Sequence, residues 1–172
     1  LKKKRLSILK KYKNFYFKKI KLKNKTILKK FIKKSKPNYI IHLAAQPGVR
    51  YSYIRPDIYI RFNIYGFLNL LQVMSELKIN KSIYASSSSV YGDAKQLPIH
   101  ENYPLKAQSL YGFSKLINEN QILNCKNKTK MNFTILRLFN VYGGNKFLYK
   151  NTGVISKWIK CILNNKPIIL DN

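Results

Sequence analysis

The 172-residue sequence predicts a doubly wound α/β fold built on a parallel sheet. Three observations carry that expectation. A continuous apolar run at 39–45 reads as a strand buried on both faces of a parallel sheet, and further strand segments follow at 82–86 and 131–139. Segments with helical apolar spacing separate them. The resulting order is helix, strand, helix, strand, helix, strand, helix, strand, a succession of βαβ units.

Each element has a local reason. A helix is expected over 26–36, with Thr26 as its cap and Ile27, Leu28, Phe31 and Ile32 as an apolar stripe. Pro37 ends it. The first strand, 39–45, is broken by Gln46-Pro47-Gly48. Pro56-Asp57 opens a long helix to about Lys78, with Ile60, Ile64, Phe67, Leu68, Leu71 and Met74 on its inner side. The second strand, 82–86, leads into a polar loop from Ser87 to about Gln108. Ser109 then caps a helix to about Cys125. A third strand over 131–139, a helix over 152–164 and the start of a strand over 167–170 complete the order.

Composition limits the function classes. The chain has 34 Lys+Arg against 6 Asp+Glu, for a net charge of +28, yet 45% of its residues are hydrophobic. That is too apolar for a disordered polycation. No apolar run approaches the ~20 residues of a membrane-spanning helix. Two cysteines, Cys125 and Cys161, do not make a disulfide scaffold, so reduced thiols in a cytoplasmic protein are expected. Residues 1–36 hold 17 basic residues and no acidic one. One reading is a basic module for nucleic acid or an anionic membrane. The other is coding bias: 29 of the 34 are Lys, beside 18 Asn and 21 Ile, all with A/T-rich codons. Phosphate recognition favours the planar fork of Arg, so composition weighs against nucleic acid. The start of the chain lacks the apolar core of a secretory signal. It also lacks an initiator Met, as expected of a fragment.

In a doubly wound sheet, ligands bind outside the carboxyl ends of the strands. Those ends are 45–51, 86–92 and 139–144. The second holds Ser86-Ser87-Ser88-Ser89-Val90-Tyr91-Gly92, followed by Tyr111-Gly112-Phe113-Ser114-Lys115. Tyr111 and Lys115 are four apart on a helix and share a face. An ammonium beside a phenol favours the phenolate, so a Tyr so placed suits general-base work. A serine hydroxyl on the neighbouring strand end suits the same substrate oxygen. The spacing alone is weak in a chain with 13 Tyr and 29 Lys, and serines after a strand are often turn formers. The signal lies in its co-occurrence, in order, with His42-Leu43-Ala44-Ala45 and with Leu136-Arg137-Leu138-Phe139-Asn140-Val141-Tyr142-Gly143.

With those motifs together, the sequence resembles the extended short-chain dehydrogenase/reductases, the NAD-dependent nucleotide-sugar epimerases and dehydratases. Within them it is most similar to UDP-glucuronate 4-epimerases, on the segments 42–52 and 84–92. The resemblance runs from about Phe15 to the end. It implies a partial Rossmann-like domain over 1–172, with the substrate-binding lobe starting after about 143. It implies NAD as cofactor and Tyr111 as catalytic base and acid. Lys115 would bind the nicotinamide ribose and assist Tyr111, and Ser87 would be the catalytic serine. Leu43, Ala44, Ala45, Asn63, Ala85 and Ser86 would line the cofactor site. Ser88, Asn140 and Arg50 would join Ser87 at the nucleotide sugar, Arg50 by pairing with the sugar carboxylate. A surface role for Arg50 stands beside that reading. The family implies a homodimer through the helices at about 57–77 and 109–125. His42 and His100 give no metal-ligand spacing, so no metal is expected.

The chain departs from the family in three places. None of its 7 glycines forms the Gly-x-x-Gly-x-x-Gly turn that cradles the cofactor diphosphate. Lys21 stands where an acidic residue is usual. Asn145-Lys146-Phe147-Leu148-Tyr149-Lys150 replaces a Pro/Arg-rich stretch. The expectation is therefore a nucleotide-sugar epimerase truncated at both flanks and, as given, inactive. UDP-glucuronate inversion at C4 comes first, and a UDP-glucose 4-epimerase type is the alternative. Ser88 and Ser89 stand where the 4,6-dehydratases of the family carry an Asp-Glu pair, which favours epimerisation. A non-catalytic basic module is the reading from a different class.

Overall fold

The structure, a computed structural model, describes residues 2–141 and 153–169. The chain forms two compact units, one of residues 19–138 and one of 1–18 with 139–172. The larger unit begins with helix α2 (Lys25–Ser35). It continues through strand β1 (Ile40–His42), the short helix α3 (Val49–Ile54), and a continuous helical stretch over 56–76, here α4. Strand β2 (Lys81–Ala85), a 3-10 turn (Ser88–Val90), helix α5 (Leu110–Lys128) and strand β3 (Asn132–Leu136) complete it. The smaller unit contributes α1 (Lys2–Leu9) and α6 (Gly153–Leu163).

The three strands are parallel in the order β1-β2-β3. In register, Ile40, Ser82 and Phe133 form one row and His42, Tyr84 and Ile135 another. Those rows face the core, where Leu28 and Ile32 of α2 meet Phe67, Leu70, Leu71, Val73 and Met74 of α4 and Ile122 of α5. Burying such side chains contributes roughly 1.5–3 kcal/mol each.

Several expectations shift. Asn24, not Thr26, caps α2, its Oδ1 accepting from the Ile27 amide at 3.0 Å. Thr26 lies within the helix, whereas Asn24 stands just before it, where a side-chain oxygen can accept a free first-turn amide. The strands are shorter than their apolar runs, and β1 is not buried on both faces. Ile41 is 60% and Leu43 71% exposed, because the described helices of this unit pack on the opposite face. The long helix is present, but its inner side is rotated. Its middle, Tyr59–Tyr65, is a π-helix. The wider turn inserts one residue, so Tyr59 and Asn63 are buried where Ile60 and Ile64 were expected, and Ile60 is exposed. The last strand is not formed among the described residues 166–169. The motif residues Tyr142-Gly143 and the onset of a substrate lobe after 143 lie outside the described residues.

Candidate functional site

The carboxyl ends of β1 and β2 and the first turns of α5 build the site. Ser109 starts α5 by accepting the Gly112 amide on its Oγ at 3.1 Å. That cap fixes Tyr111 in the first turn and Lys115 one turn later. A Cβ on Gly112 would lie 2.5 Å from the Ser89 carbonyl oxygen, so only glycine lets this helix close onto the serine turn.

Lys115 is 5% exposed. Its Nζ donates to the Ala85 carbonyl at 2.6 Å. It lies 5.0 Å from the centroid of the Tyr84 ring and 5.9 Å from that of Tyr111. Burial lowers its pKa to about 8, with Glu119 pulling the other way. Tyr111 itself is half-buried, its ring edge-on to Tyr59 at 6.2 Å. The expected pair thus shares one side of α5 at the end of β2.

The serine turn begins at the end of β2. The Ser86 and Ser88 amides donate to Leu136 and Leu138 carbonyls, extending the pairing with β3. Ser87 Oγ accepts the Ser89 amide at 3.2 Å and donates to Ser89 Oγ at 3.1 Å, capping the 3-10 turn. Ser86 Oγ donates to Glu119. Ser88 is half-buried.

Behind the site runs a network centred on Asn63, in the π-helix. Its Oδ1 accepts the Gln46 amide at 2.8 Å, and its Nδ2 donates to the Gln46 carbonyl at 3.0 Å and to Ser114 Oγ at 3.1 Å. Ser114 Oγ in turn donates to the Tyr111 carbonyl at 2.7 Å. Asn118 Nδ2 reaches the Asn63 carbonyl and the Tyr84 hydroxyl, both at 2.9 Å. Tyr59 donates its phenol to the Pro47 and Gly48 carbonyls at 3.0 and 2.7 Å. Gly48 needs its freedom there, with φ of 101°. Asn63 therefore ties the loop after β1 to the helix that carries Tyr111. The π-turn that aims it inward leaves no sign in the apolar spacing.

In that loop, Leu43 and Ala44 are exposed and Ala45 half-buried. Arg50 is an exposed residue of α3. Asn140 belongs to the smaller unit and is exposed. A cavity of about 400 Å³ lies between α2 and the turns before β1 and β2, lined by Lys33, Lys36, Pro37 and Lys78 among others. It opens at the amino ends of the strands, away from Tyr111.

Two site residues went unread in the sequence. Arg137 grips Glu119 with both arms of its fork: Nε to Oε1 and Oε2 at 3.2 and 3.1 Å, Nη2 to Oε2 at 2.8 Å. Its Nη1 reaches the Tyr91 hydroxyl at 3.1 Å and the Glu101 carbonyl at 2.6 Å. Two signals pointed to Glu119. It continues the Tyr111, Lys115 spacing by another four residues, and it is one of six acids in a chain of 34 bases.

The model of the NAD dependent epimerase/dehydratase family matches residues 2–171, so the chain belongs to that family. "Protein CapI" of Staphylococcus aureus is 38% identical over 165 residues, 92% of this chain and 47% of that protein. A UDP-glucuronate 4-epimerase of Thermodesulfobacterium geofontis is 34% identical over 165 residues, 95% and 50% of the two chains. Among solved structures, the Thermotoga maritima UDP-glucose 4-epimerase with UDP-glucose has a TM-score of 0.83 at 26% identity, covering 94% of this chain and 53% of that one. The Thermus thermophilus UDP-glucose 4-epimerase with NAD has a TM-score of 0.81 at 25% identity, covering 91% and 51%. The chain spans about half the length of the relatives it matches. Among the described residues no helix is long and apolar enough to cross a membrane.

Proposed function

We propose that the protein is an NAD-dependent nucleotide-sugar epimerase that inverts C4 of the sugar. The observation that carries this is Lys115, buried against the Ala85 carbonyl and beside the Tyr111 ring at the carboxyl end of β2. Burial costs that ammonium charge stability, and among the described residues it forms no salt bridge, its hydrogen bond going to the Ala85 carbonyl.

The residues present fit one end of NAD. The residues after β1 that would face the cofactor, Ala44 and Ala45, are small, the one exposed and the other half-buried, and Lys115 offers donors to a ribose. The diphosphate end finds no glycine-rich cradle among these residues. When bound, the cofactor would accept a hydride from C4 and return it to the other face. Tyr111 takes the proton of the sugar 4-hydroxyl through its side-chain oxygen in the first half and gives it back in the second. Lys115 places its ammonium 5.9 Å from the centroid of that ring. Ser87, with Ser88 beside it, hydrogen-bonds the 4-oxygen, and Asn63 keeps the cofactor-side loop in place. Arg50 adds a substrate contact in this reading.

UDP-glucuronate is the substrate we favour, from the 42–52 and 84–92 segments and the Thermodesulfobacterium relative. UDP-glucose is the second reading, supported by the solved epimerases named above. We read the protein as cytoplasmic and dimeric through α4 and α5. The test completes the chain with the parts of the Staphylococcus aureus relative outside the alignment and follows both sugars with NAD by proton NMR. Conversion of UDP-glucuronate to UDP-galacturonate supports the first reading. Conversion of UDP-glucose alone supports the second. A folded protein that binds NAD and converts neither overturns both.

A further inference from the structure

Among the described residues Glu119 is the one buried acid, at 2% exposure. It joins three elements. It stands on α5, two turns after Tyr111. Its Oε1 accepts the hydroxyl of Ser86, which opens the serine turn. Both its oxygens bind Arg137, just beyond the end of β3, whose remaining arm fastens Tyr91 and the Glu101 carbonyl, within and after the same turn. The Tyr91 ring also lies under the guanidinium, 5.1 Å away.

A buried ion pair is a weak argument for stability, because desolvation offsets most of the attraction and an apolar pair of similar volume often does as well. What such a pair does supply is direction. Two-armed Arg–carboxylate contacts fix both groups in a plane. Here the pair links the helix bearing Tyr111 and Lys115 to the turn bearing Ser87, through Ser86 and Tyr91. At the other end of the turn, Gly112 of the same helix meets the Ser89 carbonyl. The turn is held at Ser86 by polar contacts and at Ser89 by close packing.

We propose that Glu119 and Arg137 are positioning residues: their paired fork, through Ser86 and Tyr91, holds the serine turn in register with Tyr111. The catalytic half of this statement rests on the epimerase reading above. The positional half does not.

The test uses Glu119→Gln, which keeps length and an acceptor for Ser86 but loses the charged fork. It also uses Arg137→Met and Arg137→Lys. Amide hydrogen exchange is followed in the 172-residue chain. Expected is a rise of about tenfold or more across 86–103 in Glu119→Gln and Arg137→Met, the scale set by losing a charge-assisted bond. The amides of 114–128 stay within about twofold, and Arg137→Lys, with one arm left, falls between. In the completed enzyme the same variants lower kcat about tenfold or more, with KM for the nucleotide sugar changed less than threefold. Unchanged exchange at 86–103 overturns the proposal. So does exchange that rises equally through α5, which would make the pair a general support of the fold. A local rise with kcat intact overturns it as well. A wild-type enzyme without activity refutes the epimerase reading alone, since exchange still decides the positional claim.

Discussion

Replacing Lys115 with Met isolates the electrostatics of the site in one titration. The two side chains have similar length, and Met carries no charge. Burial lowers the Lys115 pKa from 10.5 to about 8. Below pH 8 the folded and unfolded chains both hold this proton, and the difference between wild type and Lys115→Met is flat. Between pH 8 and 10.5 the unfolded chain holds the proton and the folded chain has released it. Stability then rises with pH, because the unfolded state binds more protons. At 1.36 kcal/mol for each pH unit, wild type gains about 3 kcal/mol on Lys115→Met across that window. At pH 7 the burial cost of the ammonium, about 3 kcal/mol by the same measure, opposes roughly 1.5–3 kcal/mol from its charged hydrogen bond to Ala85. The two proteins should therefore lie within about 2 kcal/mol of each other there. Urea unfolding followed by far-ultraviolet circular dichroism at half-unit steps from pH 7 to 10.5 reads both numbers. Ionisable groups remote from residue 115 are common to both chains and cancel. A difference that stays flat through pH 10.5 would refute the burial of the ammonium, and with it the argument that this lysine is held for chemistry.

Two further outcomes follow from packing. His42 stacks on Tyr84 with centroids 5.8 Å apart, and burial lowers its pKa to about 4, the Lys115 charge adding to the effect. The unfolded chain protonates it first, so relative to His42→Phe wild type should lose about 3 kcal/mol as pH falls from 6.5 to 4; urea midpoints across that range measure it. Gly112→Ala puts a methyl 2.5 Å from the Ser89 carbonyl. It should cost about 1–3 kcal/mol in thermal unfolding and displace the serine turn, visible as shifted Ser87–Ser89 amide resonances.

The alternation of apolar runs with helical spacing was enough to place three parallel strands and the helices between them. The run lengths overstated the strands, because apolar character fixes neither burial nor hydrogen bonding: Leu43 is apolar, lies past the end of β1 and is exposed. The inner face of α4 was misread for a different reason. A π-turn changes the angular step by a residue, and nothing in the order Ile60, Ile64, Phe67 announces it. The site was legible where chemistry is local, as in Tyr111, Lys115 and the serines. It was hidden where partners come from afar. Glu119 meets Arg137 across 18 residues and Ser86 across 33, and Asn63 meets Gln46 and Ser114 across 17 and 51. Sequence spacing reports neighbours on one element, not the meeting of several.

The central claim is that Tyr111 moves the proton at the sugar C4 oxygen. Its most direct test is Tyr111→Phe in the completed enzyme, with kcat and NAD affinity measured together. Loss of the phenol should lower kcat by about 10²–10⁴-fold, the usual scale for general acid–base catalysis, with the Kd for NAD changed less than threefold. A variant that turns over at the wild-type rate would contradict the account.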